Sequence, residues 1–88
     1  MTFRVTLSET AVRQLRKMPG ESRRRVIAGM RGLAKDPFQP RTGSDILPIK
    51  GTAPRKYRLR VGEYRIIYTV AVTEVRVIEV FSRGRDYR

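Results

Sequence analysis

Three arginines lie close together in the stretch Lys56 to Tyr68, KYRLRVGEYRIIY, and a β-hairpin would gather them on one surface. Tyr57, Leu59 and Val61 alternate with Arg58 and Arg60. After Gly62-Glu63, a two-residue turn of the Gly-X kind, Tyr64, Ile66 and Tyr68 alternate with Arg65 and Ile67. With Gly62 and Glu63 as the turn, Val61 faces Tyr64, Arg60 stands opposite Arg65, and Arg58 follows two residues along the same face. Like charges placed opposite one another destabilise a sheet. Two readings fit. The arginines are the solvated outer face of an amphipathic sheet, or they form a patch that expects an anion. Arg at all three points favours phosphate, because its planar fork matches a phosphate and the lysine ammonium does not.

The remaining chemistry is bounded by composition. The 88 residues carry 16 Arg and 4 Lys against 8 acidic residues, a net charge of +12, which predicts an acidic partner such as nucleic acid or an acidic protein segment. The length suits one small domain, residues 1–88. With neither Cys nor His, disulfides and the usual zinc sites cannot be built, and the commonest catalytic base and the thiol nucleophile are missing. Any reaction must use Arg, Lys, Tyr, Ser, Thr or carboxylates. No segment approaches the roughly 18 to 20 apolar residues of a membrane span, and MTFRVTLSE lacks the apolar core of a signal peptide. The expectation is a cytoplasmic protein with no membrane partner.

The elements that must position the arginines are legible as patterns. Phe3, Val5 and Leu7 alternate with Thr2, Arg4 and Thr6, predicting a half-buried first strand. Ser8 is a candidate helix N-cap with Glu9 in the first turn, and Ala11, Val12, Leu15 and Met18 recur at helical spacing before Pro19-Gly20. From Glu21 a second helix carries Val26, Ile27, Met30, Leu33 and Ala34 on one stripe and ends at Asp36-Pro37. Gly29 and Gly32 inside it call for a reason, and close packing is one. The run Arg23 to Arg25 reads better as a solvated helix face than as a nucleic-acid patch. Residues Pro37 to Ser44 form the longest irregular stretch. Beyond it Ile46-Leu47-Pro48-Ile49 fits an edge strand because of its proline. After the hairpin the chain turns near Thr73. The last strand, Glu74 to Phe81, keeps Val75 and Val77 in one phase and Ile78 and Val80 in the other, so it is either covered on both faces or carries a bulge. Counting therefore leaves open the face from which the tail SRGRDYR departs.

The order of strand, two helices and meander, with EYRIIY in the middle strand and SRGRDYR at the end, resembles the RelE/ParE superfamily of toxin-antitoxin toxins, and most of all its compact RelE branch. The resemblance implies an α+β, two-layer fold, β-α-α-β-β-β-β, with two N-terminal helices on one face of a largely antiparallel sheet. It also implies a ribosome-dependent mRNA endonuclease that inhibits translation under stress, with a RelB-type antitoxin, the ribosome and mRNA as partners and no cofactor. By the same resemblance Arg65, Arg83 and Tyr87 are the catalytic candidates, and Arg58, Arg60 and Arg85 the phosphate and RNA contacts.

Cleavage in that branch is attack of an RNA 2′-hydroxyl on the adjacent phosphate. Arginine stays protonated at ordinary pH and suits stabilisation of charge rather than proton removal. Tyr87 is the better acceptor, since neighbouring guanidiniums favour its phenolate. The superfamily also contains ParE-like gyrase inhibitors, and a non-catalytic basic module for RNA or ribosome is a third reading. Co-occurrence of Arg65, Arg83 and Tyr87 separates the first reading from pure electrostatic binding.

Overall fold

A strand, two helices and a four-stranded meander follow one another along the chain, as the patterning requires. A computed structural model describes residues 2–38, 45–51 and 54–82. The elements are β1 (Arg4–Leu7), α1 (Glu9–Arg16), α2 (Gly20–Leu33), β2 (Asp45–Ile49), β3 (Lys56–Val61), β4 (Tyr64–Ala71) and β5 (Glu74–Ser82). The strands form one sheet in the order β1-β5-β4-β3-β2, with β1 parallel to β5 and every other pair antiparallel. Among the described residues no helix is long and apolar enough to cross a membrane.

Both helices lie on the sheet face that carries Leu59, Ile66, Tyr68, Val75, Val77 and Val80. Ala11, Leu15 and Met18 from the first helical stretch, and Val26, Met30 and Leu33 from α2, complete one buried cluster. Each large side chain withdrawn from water in this way contributes about 1.5 to 3 kcal/mol. At Gly29 α2 comes so near β3 that an added Cβ would lie 2.8 Å from Val61 Cγ2, and close packing is therefore the reason for that glycine.

Ser8 joins helix to sheet. Its Oγ accepts from the Ala11 amide at 3.1 Å, as an N-cap should, and donates to the Ile78 carbonyl at 2.6 Å. Ile78 is the extra residue of a β-bulge: Ile67 pairs with Glu79 while Tyr68 pairs with Val77. The irregular phase of β5 is thus a bulge, which returns Val80 to the helical side and leaves Glu79 and Phe81 on the other. Several boundaries differ from the sequence reading: β1 begins at Arg4, α1 stops at Arg16 short of Met18, α2 stops at Leu33 short of Asp36-Pro37, and β5 runs one residue further, to Ser82. α2 begins at Gly20 rather than Glu21, behind Pro19 and without a side-chain cap. The edge strand begins one residue earlier than its apolar run, at Asp45.

Candidate nucleic-acid interface

Across the sheet face turned away from the helices, strand pairing sets side chains in rows. The hairpin has the register expected from its turn, with Val61 opposite Tyr64 and Arg60 opposite Arg65, and Gly62 adopts φ +57°. Extended to the outer strands, the row reads Asp45, Arg60, Arg65 and Phe81. The next contains Leu47, Arg58, Ile67 and Glu79, and the one after it Ile49, Lys56, Thr69 and Arg76. Arg58, Arg60 and Arg65 therefore share one patch. Lys56 continues their phase on the same face, a member that the alternation signalled and the sequence reading passed over.

The patch has its own counter-ion. Asp45 Oδ2 accepts from Arg58 Nη2 at 3.2 Å and lies 3.9 Å from Arg60 Nη2. The side chains of Arg58, Arg60 and Asp45 are 21%, 49% and 39% exposed, so water screens these pairs and the Arg58 bridge contributes about 0.5 to 1 kcal/mol. Asp45 precedes the apolar run that marks the edge strand, and nothing in the alternation sets it against the mutual repulsion of the arginines. Part of that repulsion is relieved internally. Even so, Arg58 Nε and Arg65 Nη1 are buried and have no acceptor among the described residues. A charged donor withdrawn from water without an acceptor costs about 1 to 3 kcal/mol or more, which favours a further anion on this face.

The Arg23 to Arg25 run divides by role. Arg23 Nη2 donates to the Met18 carbonyl at 3.0 Å and ties the end of the first helical stretch to α2. Arg24 is exposed. Arg25 reaches over the hairpin turn, where a Cβ on Gly62 would meet its Nη2 at 2.9 Å, and so adds charge at the tip of the patch.

Three of the sequence-derived candidates, Arg83, Arg85 and Tyr87, lie outside the described residues. The tail that bears them continues from Ser82, which pairs with Tyr64 beside Arg65. The other tyrosines belong to the helical side. Tyr68 is fully buried, and Tyr57 and Tyr64 pack against the core. The Tyr68 hydroxyl donates to the Pro37 carbonyl at 2.6 Å. Burial first, then the neighbouring Tyr57 and Asp36, push its pKa well above the ordinary phenol value. That is the opposite of what a proton acceptor needs, and Tyr68 serves to hold the exit from α2.

At the far edge of the sheet, Val5, Leu7, Leu15, Ile27, Met30 and Ala34 line an apolar groove of about 390 Å³ with Arg31 at its margin. Among the described residues the outer edge of β1 beside it has no neighbouring strand.

The family model for the ParE toxin of type II toxin-antitoxin systems, parDE, matches residues 5–87. No curated protein is similar enough to match. Among solved structures, the archaeal RelE-RelB complex of Pyrococcus horikoshii has a chain 32% identical, with TM-score 0.81 over 97% of this chain and 99% of that one. A chain of the RelB-RelE antitoxin-toxin complex of Methanococcus jannaschii is 27% identical, with TM-score 0.69 over 88% of each chain. A chain of the toxin-antitoxin complex RelBE2 of Mycobacterium tuberculosis shares the fold at 24% identity and TM-score 0.76, over 96% of this chain and 94% of that one.

Proposed function

The chain belongs to the ParE toxin family, within the RelE/ParE superfamily of type II toxin-antitoxin toxins, and from that premise we propose that residues 1–88 form one cytoplasmic toxin domain that cleaves mRNA on the ribosome. The observation that carries the reading is the row in which Arg60 faces Arg65, with Arg58 beside it, on the sheet face away from the helices, where Arg58 Nε and Arg65 Nη1 lack an acceptor among the described residues. Such donors match the non-bridging oxygens of a phosphodiester.

In this mechanism the RNA 2′-oxygen forms a bond to the adjacent phosphorus as its proton passes to the Tyr87 phenolate. The bond from phosphorus to the 5′-oxygen breaks, leaving a cyclic phosphate and a 5′-oxyanion that takes a proton from water to become the 5′-hydroxyl. Arg65 holds the scissile phosphate and, with Arg83, offsets the charge that grows on it. Arg58, Arg60 and Arg85 bind flanking phosphates. Tyr87 stands five positions beyond Ser82, the last residue of β5. A phenol is a poor base at neutral pH, so the chain alone is a weak nuclease and the ribosome supplies alignment.

The antitoxin partner is RelB-type, with an acidic amphipathic helix whose apolar face fits the groove lined by Ile27, Met30 and Ala34 and whose carboxylates meet Arg31. A second reading, gyrase inhibition by binding, is favoured by the ParE description of the matching family. A cell-free translation reaction with mRNA end mapping separates the two. New 5′-hydroxyl ends that require ribosomes support the nuclease; intact mRNA together with blocked gyrase supercoiling replaces it with the second reading.

A further inference from the structure

We propose that Asp45 is a positioning residue of the RNA site, an internal carboxylate that holds Arg58 and must be displaced by the incoming phosphate. The proposal rests on the reading above, in which the arginine face binds RNA. Asp45 sits on the edge strand β2 at one end of the row it shares with Arg60 and Arg65. One of its oxygens, Oδ2, serves both neighbours, at 3.2 Å from Arg58 Nη2 and 3.9 Å from Arg60 Nη2. A phosphate oxygen placed between the facing Nη2 atoms of Arg58 and Arg60 competes with Asp45 for them. Two anions cannot share them without the repulsion of like charges a few ångströms apart.

The carboxylate is an incomplete ligand for this patch. It leaves Arg58 Nε and, in the neighbouring strand, Arg65 Nη1 buried without an acceptor among the described residues. A phosphodiester brings several oxygens to the same region and can serve donors that one carboxylate on β2 does not. Exchange of carboxylate for phosphate therefore gains hydrogen bonds but must first break the Asp45 bridge. An RNA that meets the chain by charge alone bears that cost, whereas one held in register across the patch offsets it. Asp45 thus lowers affinity for arbitrary RNA and sharpens dependence on aligned substrate.

The test measures binding of the purified chain to a short 2′-O-methyl oligoribonucleotide, which lacks the attacking hydroxyl, across a salt series. Asp45→Asn keeps the shape and removes the charge. It should tighten binding about two- to fivefold, because the exposed bridge to Arg58 no longer has to be broken. It should also steepen the slope of log affinity against log salt by about 0.7, one additional phosphate neutralised. In an Arg58→Gln background the same change should have less than about a twofold effect, because Asp45 acts through Arg58. Unchanged or weaker binding by Asp45→Asn with native circular dichroism, while Arg58→Gln weakens binding, overturns the proposal and spares the RNA site. Unchanged binding by Arg58→Gln itself sinks the RNA reading of this face. Asp45→Ser carries the same predictions if the asparagine variant fails to fold.

Discussion

Tyr68 has a hydroxyl committed to the fold, the opposite of the proton-accepting role proposed for Tyr87. Tyr68 is fully buried, its hydroxyl is spent on the Pro37 carbonyl, and its proton is held more tightly than in a free phenol. A raised folded-state pKa stabilises the fold fully below the unfolded value near 10 and loses that contribution as pH climbs through and beyond it. Tyr68→Phe should therefore lower stability by about 1 to 3 kcal/mol at neutral pH, because the Pro37 carbonyl loses its donor. Its stability should also fall less steeply than wild type above about pH 10; denaturant titrations at pH 7 and pH 10.5 measure both. The placement of the tyrosines was legible from alternation alone, since Tyr57, Tyr64 and Tyr68 keep the phase of Leu59 and Ile66. Asp45 was not legible. It stands thirteen residues from Arg58, its strand has a proline and little alternation, and only the pairing of β2 with β3 brings the two together.

Elements place the patch through backbone contacts that side-chain patterning hints at without specifying. The hairpin was readable because a two-residue turn fixes register. The last strand was not, because a bulge and a doubly covered strand produce the same break in phase, and it is the register shift against β4 between Ile67 and Tyr68 that distinguishes them here. Gly29 ties α2 to β3 in the same way. Its close approach to Val61 means that Gly29→Ala should destabilise by about 1 to 3 kcal/mol through overpacking, outweighing the gain of about 1 kcal/mol in helix propensity. Adding Val61→Ala opens space for the new methyl, so thermal unfolding of the pair should show less loss than the two single changes summed. Strict additivity would mean that the helix shifts instead of clashing.

At the scale of the whole molecule, the charge of +12 and the apolar groove beside the free edge of β1 point to one acidic partner that covers both. Coexpression with the product of the adjacent gene should yield a complex that copurifies and silences toxicity, with carboxylates in its helical segment. A toxic chain with no neutralising neighbour in its operon would count against that. Composition bears on the charge expected of a partner, while the groove required the packing of α1, α2 and β1. The central claim is that the arginine face does chemistry and not only binding. It is tested most directly by single-turnover cleavage on programmed ribosomes at saturating toxin, where lost affinity cannot pass for lost rate. Arg65→Ala should keep ribosome association and slow cleavage about 10²- to 10³-fold, as does loss of one donor to a developing negative charge. Tyr87→Phe should slow it about 10²- to 10⁴-fold. Near-normal rates for both variants would contradict the nuclease site and leave a toxin that acts by binding.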